Sequence, residues 1–156
     1  MDELKKVNVL TKDELRDVID YANHGNINRI TGLELALELE TSMRFSEIIN
    51  LEWQDIDLDN KCIDVVGKTG RRKVNISDSL ADRFNQLRND QQEFYSKHSI
   101  IPGKKYVFVN SLLHRPTQEH FNDVISKAAG NKQFNFKTLR HTLIMALEGF
   151  TNEDNR

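Results

Sequence analysis

The segment that most constrains the fold is Thr41–Trp53, which places an arginine between two apolar stretches. Before it, from about Ile27 to Ser42, apolar residues at helical spacing cover more than one face, which predicts a helix at the centre of the core. After Arg44 a second short helix is expected, with Ser46 at its N-cap. The guanidinium of Arg44 is therefore expected at a helix junction, where it faces a site instead of lying on a freely solvated face.

Length and composition predict one soluble domain. The chain has 156 residues, of which 38% are hydrophobic and 29% charged, values typical of a globular protein with its own core. It has no run of eighteen apolar residues and no charged-then-apolar leader, which predicts neither a membrane span nor secretion and makes the cytoplasm the expected location. Cys62 has no cysteine partner and is expected to be a buried strand residue in a reducing compartment.

The net charge of −2 conceals an asymmetry along the chain. Residues 1–60 contain 6 Lys/Arg and 14 Asp/Glu, whereas residues 61–156 contain 16 and 10. A basic stripe on an otherwise acidic domain is sufficient to bind phosphates in register. The second part of the chain is therefore the expected surface for a polyanion.

The remaining pattern predicts a mainly α fold with a small antiparallel β-sheet or hairpin, of the α+β class. Thr11 and Glu14 form a capping box for a first helix. Two alternating stretches around the turn Gly67–Gly70 predict a β-hairpin with a basic tip. The other expected elements are a long helix after Ser77 or Asp78, a short strand at Tyr106–Val109, a helix after Pro116 or Thr117, and a last helix from about Lys137 to Phe150.

Three motif-like features lack the residues or the spacing that their chemistry requires. Gly67-Lys68-Thr69 matches the end of a phosphate-binding P-loop, but the loop's first glycine would fall on Cys62, and a strand follows where a helix is required. The acidic turn Asp55–Asp59 lacks the glycine and the bidentate glutamate of a calcium loop. The histidines have no metal-binding spacing. No metal and no cofactor are expected.

Cations at the junctions between elements remain as candidates for chemistry. Lys137 and Arg140 are three residues apart, so on a helix they share one face and can contact one ligand. Together with Arg44 and Lys68 they would form a phosphate clamp. The alternative is that each is a surface cation or, for Arg44, the partner of Glu47 in an ion pair.

Three stretches carry a family resemblance. The first, Thr41–Asp57, contains an arginine followed by Ser-Glu and then by Leu-Glu-Trp-Gln-Asp-Ile-Asp; the second is Val65–Val74; the third, Phe136–Thr142, reads Phe-Lys-Thr-Leu-Arg-His-Thr. They resemble the first arginine box, the lysine hairpin and the second arginine box of the tyrosine recombinases, the phage-integrase family. The resemblance covers nearly the whole chain with the right spacing.

The resemblance implies site-specific cleavage and rejoining of double-stranded DNA through a 3′-phosphotyrosine, as in the integration reactions of phages and mobile elements. Arginines would stabilise the pentacoordinate phosphate in place of a divalent metal, and Lys68 would protonate the leaving 5′ hydroxyl. The implied catalytic residues are Arg44, Lys68, Lys137 and Arg140, with Glu47 and His141 as candidates for a supporting role; a packing role is favoured for His141. Independently of the resemblance, the basic hairpin residues Arg71, Arg72 and Lys73 are the expected DNA contacts.

Two departures from the family pattern change the expectation. Lys137 occupies the position where the family usually has histidine, and the three tyrosines, Tyr21, Tyr95 and Tyr106, all precede Arg140. We therefore expect residues 1–156 to be a single catalytic-domain fragment without the N-terminal core-binding domain and the C-terminal tyrosine segment. Such a chain would be inactive alone, and a tetramer on DNA is expected only of the full-length protein.

Two further hypotheses stay open at the level of the sequence. The chain could be a non-catalytic DNA-binding or regulatory remnant of an integrase, which the missing tyrosine favours. It could instead be a helical protein-interaction domain with no relation to DNA.

Overall fold

The computed structural model describes residues 9–24, 29–68 and 70–154, with side chains as far as residue 146. Helices within these residues are α1 (Lys12–His24), α2 (Arg29–Thr41), α3 (Phe45–Ile49), α4 (Asp78–Lys97), α5 (Gln118–Ala129) and α6 (Phe136–Asp154). Strands are β1 (Ile56–Asp57), β2 (Cys62–Gly67) and β3 (Gly70–Asn75), and Trp53–Asp55 forms a single 3₁₀ turn. The predicted fold class, mainly α with a small antiparallel sheet, is confirmed.

The described chain divides into two compact units. The first comprises Met1–Asn26 and Thr117–Arg156, and the second comprises Ile27–Pro116. The first unit therefore contains α1, α5 and α6, and the second contains α2, α3, α4 and the sheet.

In the second unit, α2 is the core helix that its apolar pattern predicts. Leu33, Leu35 and Leu37 are almost completely buried, on successive faces of the helix, and α2 packs against α4. Glu34 and Glu38 are buried as well, with 1% and 0% of their surfaces exposed. A helix covered on all sides thus includes two acidic side chains that an apolar pattern does not explain.

The sheet is antiparallel with strand order β1-β2-β3. The predicted hairpin is confirmed: Ile63 pairs with Val74 and Val65 with Arg72, and Ile63 and Val65 are buried. Thr69, in the turn, lies outside the described residues. The additional strand β1 was not predicted, because Ile56–Asp57 is only two residues long and lies in a sequence rich in turn formers.

Two predictions in this unit are wrong. Tyr106–Val109 is not a strand: Tyr106 forms an isolated bridge with Glu52, and the following residues are buried without joining the sheet. Ser46 is not the N-cap of α3, which begins at Phe45 with Arg44 as its N-cap. The Glu47 carboxylate accepts the backbone N–H of Arg44 (2.8 Å), and this bond sets the start of the helix one turn before the glutamate.

In the first unit the predicted caps are confirmed. Thr11 and Glu14 exchange the two hydrogen bonds of a capping box, and the Thr117 hydroxyl caps α5. Gly130 ends α5 with φ of +70°, a conformation that favours glycine. The Phe121 ring packs edge-on against Phe136 at 5.4 Å, and this contact joins α5 to the start of α6.

Among the described residues, no helix has the length and apolar character needed to cross a membrane.

Candidate functional site

Arg44 lies at a sharp turn between α2 and α3. Ser42 has a positive φ of 57°, and Met43 is fully buried, so the chain reverses immediately before the arginine. The Thr41 hydroxyl donates to the Leu37 carbonyl (2.7 Å) and accepts the Met43 N–H (3.3 Å), which ties the turn to the end of α2. Arg44 itself is exposed. The arginine is thus at a helix junction, as its sequence context predicts.

The Glu47 carboxylate is the best-connected polar group near Arg44. Only 5% of the side chain is exposed, and Arg72 donates two hydrogen bonds to it, from Nη1 (2.7 Å) and Nη2 (3.0 Å). The hydrogen bond from Arg72 is the largest cause of a lowered Glu47 pKa; burial opposes it, and the Arg44 N–H adds to it. Glu47 is therefore a partner of Arg44 through the backbone N–H and through charge, whereas its hydrogen-bonded ion pair is with the side chain of Arg72.

The β2–β3 hairpin comes close to the same carboxylate. A Cβ atom on Gly67 would lie 2.7 Å from Glu47 Oε2, closer than real Cβ contacts, so any other residue at this position requires the carboxylate or the backbone to shift. Lys68 follows Gly67 directly and is exposed. The residue predicted as the general acid is therefore attached to a backbone position that contacts Glu47.

The three basic residues of β3 lie on different faces of the hairpin. Strand register places Arg72 opposite the buried Val65, whereas Arg71 pairs with the exposed Val66 and Lys73 with Asp64. Because side chains alternate along a strand, Arg71 and Lys73 share the outer face and Arg72 lies on the inner one. All three were predicted to contact DNA, but the structure engages Arg72 with Glu47.

The second predicted pair of cations lies at the start of α6. The Asn135 side chain accepts the N–H and hydroxyl of Thr138 (both 3.0 Å), and Asn122 accepts the Phe136 N–H (2.9 Å), which fixes the helix N-terminus. Lys137 is exposed and Arg140 is half-buried. His141 is also half-buried and, at i+4 from Lys137, lies on the same face of the helix.

The predicted cations belong to different units of the chain. Arg44 and Lys68 are in the second unit, and Lys137 and Arg140 are in the first. Within each unit the members share a local site, namely the Arg44 turn with the hairpin, and one face of α6. The convergence of both pairs on one phosphate stays a prediction.

Sequence reasoning missed one member of this site, Gly67, and one contact, the pairing of Arg72 with Glu47. It assigned Gly67 no role in the site. Both depend on a contact between segments that are 20 or more residues apart in the chain, and a local pattern carries no signal for such a contact. No group of three or more His, Cys, Asp or Glu residues is arranged for a metal within the part of the chain that the structure describes.

Comparison with solved structures identifies the fold. The chain is similar to XerA recombinase, at 22% identity over 89% of this chain and 48% of that chain with a TM-score of 0.68. XerH recombinase bound to palindromic difH substrate matches at 20% identity over 93% and 43%, with a TM-score of 0.74. The Tn1549 transposon integrase in complex with transposon right end DNA matches at 16% identity over 90% and 53%, with a TM-score of 0.68. This chain spans about half the length of these proteins.

Sequence comparison identifies the family. No curated protein sequence matches the chain. The sequence profile of the phage integrase family, however, matches residues 8–149, which include the Arg44 turn, the hairpin and the first turns of α6. With this match over most of its length, and with the fold of the recombinases, the chain belongs to the phage integrase family of tyrosine recombinases.

Proposed function

We propose that this chain forms the phosphate-binding part of a recombinase catalytic domain that acts on double-stranded DNA. The observation that carries the proposal is the family match over residues 8–149, which spans every predicted catalytic cation. The residues that we assign to one scissile phosphate are Arg44, Lys68, Lys137 and Arg140.

The two arginines stabilise the transition state. Attack on the phosphate produces a pentacoordinate phosphorus with extra negative charge on its non-bridging oxygens, and each guanidinium donates paired N–H groups to such oxygens. Guanidinium stays charged at every working pH, so the clamp needs no proton transfer of its own. The hydrogen-bonded turn before Arg44 and the capped start of α6 before Arg140 support this role, because side-chain hydrogen bonds hold the backbone close to each arginine.

Lys68 is assigned as the general acid for the leaving 5′ hydroxyl and, in the reverse direction, as the base that accepts its proton. Its exposed position in the hairpin, directly after Gly67, supports this role. Lys137 replaces the family's usual histidine; we assign it to a phosphate oxygen, with His141 and Glu47 supporting the neighbouring catalytic groups.

The nucleophile is assigned to a residue outside this sequence. All three tyrosines precede Arg140, whereas the resemblance places the family's nucleophile after it. Burial also raises the pKa of Tyr95, which disfavours its phenolate. We therefore propose that strand cleavage through a 3′-phosphotyrosine requires another segment, and that this chain alone does not cleave.

DNA is the proposed partner. XerH and the Tn1549 integrase were solved bound to DNA, and the outer face of the hairpin in this chain, with Arg71 and Lys73, offers cations that no catalytic role requires. We extend DNA binding to this chain and propose, from the family resemblance alone, that the full-length protein forms a homo-oligomer on DNA.

A second candidate function is a non-catalytic DNA-binding remnant. The order of the tyrosines, all before Arg140, supports it. It predicts that DNA binds without any chemistry at the phosphate, whereas the first candidate predicts that the phosphate site is functional when a leaving group is provided.

The rejoining half of the reaction separates the two candidates, because it needs an aryl oxide leaving group and not a tyrosine nucleophile. A duplex that binds this chain is first selected from a random-sequence pool. It is then synthesised with a nick in one strand, where a 3′ phosphate esterified with para-nitrophenol faces a 5′ hydroxyl. The hydroxyl oxygen attacks phosphorus, the bond to the aryl oxygen breaks, nitrophenolate leaves, and Lys68 accepts the hydroxyl proton.

Ligated strand on a denaturing gel, together with released nitrophenolate, is the expected result. Arg44→Ala and Arg140→Ala are each expected to slow ligation by about 10²-fold or more. Lys73→Ala, which removes a cation from the outer face of the hairpin, should slow it little at saturating DNA. Binding without ligation would support the remnant. No binding even at low salt would contradict both candidates.

A further inference from the structure

A single carboxylate, that of Glu47, connects the three parts of the site in the second unit. It accepts the N–H of Arg44 at the start of α3, receives two hydrogen bonds from Arg72 on β3, and abuts the backbone of Gly67 at the end of β2. The Glu47 side chain is 5% exposed, so these contacts replace nearly all of the carboxylate's hydration. The position of the hairpin relative to the Arg44 turn therefore depends on this group.

Arg72 occupies a different place from the other two cations of its strand. It lies on the inner face, opposite the buried Val65, and its side chain is 48% exposed although both of its Nη atoms bond Glu47. Arg71 and Lys73 lie on the outer face. If Arg72 turned towards a DNA phosphate, it would leave a buried carboxylate uncompensated, and such a charge is costly.

The contact at Gly67 transmits this pairing to Lys68. Gly67 is next to Lys68 in the chain, and its backbone lies against Glu47 Oε2. Gly67 pairs with Gly70 across the turn, two residues before Arg72 on the returning strand. The carboxylate thus contacts the hairpin on both sides of the turn that contains Lys68.

We propose that Arg72 is a positioning residue for Lys68: its pairing with Glu47 fixes the hairpin, and it does not bind a DNA phosphate. The inference rests on the proposed function, since it assigns to Arg72 the placement of the general acid and base of that reaction.

Three measurements on the intact chain test the inference, with Arg71→Ala as the matched control because it removes the adjacent cation from the outer face. The first measures duplex binding across a series of salt concentrations. Arg72→Ala is expected to leave the slope of log Kd against log salt unchanged, whereas Arg71→Ala lowers it by about 0.9, the value for one phosphate contact. A drop of that size in Arg72→Ala would overturn the inference.

The second measurement is ligation of the nitrophenyl ester at saturating duplex. Arg72→Ala is expected to slow ligation by about 10²-fold, the size of a general acid–base contribution, with the Kd for DNA unchanged. Because Arg72 acts through Lys68, the double variant Lys68→Ala/Arg72→Ala should be no slower than Lys68→Ala alone. Additive losses would mean a general structural effect and would overturn the inference. Arg72→Lys, which retains the charge and one hydrogen bond, should recover part of the rate.

The third measurement is amide hydrogen exchange without DNA, which does not depend on the proposed function. Arg72→Ala is expected to speed exchange in β2 and β3 near the turn by about tenfold or more, and Arg71→Ala is not. Equal exchange in the two variants would overturn the inference. If the wild-type chain fails to ligate, the proposed function fails, and exchange alone still decides whether Arg72 fixes the hairpin. Should Arg72→Ala not fold, Arg72→Gln, which keeps most of the side-chain length but removes the charge, replaces it in all three measurements.

Discussion

The guanidinium of Arg72 meets the carboxylate of Glu47 through two parallel hydrogen bonds, 2.7 Å from Nη1 to Oε2 and 3.0 Å from Nη2 to Oε1. Paired bonds of this kind fix orientation as well as distance. They join the start of α3 to β3, and thereby the arginine that is predicted to bind the phosphate to the hairpin that carries the predicted general acid.

Removal of the Arg72–Glu47 pair should make the free energy of unfolding less sensitive to pH in the acid range. The lowered pKa of Glu47 means that its contribution is complete above the ordinary pKa of 4.5 and is lost as the pH falls through the folded-state value. Arg72→Ala is expected to cost roughly 1–2 kcal/mol at neutral pH, less than a fully buried pair because Arg72 is half exposed. Urea unfolding of the wild-type protein and of Arg72→Ala, from neutral pH to pH 3, would measure this cost. About half of the cost, or more, should disappear at pH 3. A cost that is the same at every pH would contradict the assignment.

Gly67→Ala should destabilise the hairpin. The added Cβ would lie 2.7 Å from Glu47 Oε2, and that oxygen cannot move away without breaking its bond to Arg72. The expected cost is about 1–3 kcal/mol by urea unfolding, as for other overpacked sites. Gly103→Ala is the control, because a Cβ there meets nothing within 4 Å. Equal stability of the two variants would show that the close approach is not required.

Glu34 should make the protein less stable as the pH rises. Burial raises its pKa from 4.5 to about 8, and its Oε2 has no hydrogen-bond partner among the described residues. Between these pH values the unfolded chain loses the proton and the folded chain keeps it, so stability falls by about 1.4 kcal/mol per pH unit and is then constant. Glu34→Gln should flatten this part of the stability profile, and Glu93→Gln, on an exposed position of α4, should not. An unchanged slope in Glu34→Gln would contradict the prediction.

Gln91 should be required for the packing of the only tryptophan. Its side chain accepts the Trp53 indole N–H (2.8 Å) and donates to the Val107 carbonyl (2.7 Å), so one amide joins the 3₁₀ turn to the segment after Lys105. Gln91→Ala leaves both groups unpaired and is expected to cost roughly 1–3 kcal/mol, with a shift in tryptophan fluorescence. Gln92→Ala, at the exposed neighbouring position, should change neither. If Gln91→Ala is as stable as Gln92→Ala, water satisfies the Trp53 N–H and the Val107 carbonyl, and the prediction is wrong.

What the sequence could predict was local. The capping box at Thr11, the caps at Ser77 and Thr117, and the two alternating strands of the hairpin each depend on residues within a few positions of one another, and all are present in the structure. The Arg44 junction was predicted for the same reason, since apolar helical patterns bracket it on both sides.

What the sequence could not predict depends on distant contacts. Tyr106–Val109 has the composition of a strand, but Tyr106 forms an isolated bridge with Glu52 and the Val107 N–H donates to the Leu51 carbonyl, so no ladder forms. Glu47 was expected near Arg44 as an ion-pair partner, and only the fold shows that β3 supplies the guanidinium. The burial of Glu34 likewise follows from the tertiary packing around α2, and not from the pattern of α2 itself.

Binding of orthovanadate tests the central claim most directly, because vanadate takes the five-coordinate geometry that the arginines are proposed to stabilise. The duplex is one that the chain binds, with a nick in one strand and without the phosphate at that nick, so that vanadate can occupy the phosphate's place. Titration calorimetry would measure the affinity of the chain for this duplex with and without vanadate. We expect vanadate to tighten binding by about tenfold or more, equivalent to about 1.4 kcal/mol, and Arg44→Ala or Arg140→Ala to abolish the gain while Lys73→Ala keeps it. Unchanged affinity in the wild-type chain, at a duplex that it binds, would contradict the claim that these residues form a phosphate site.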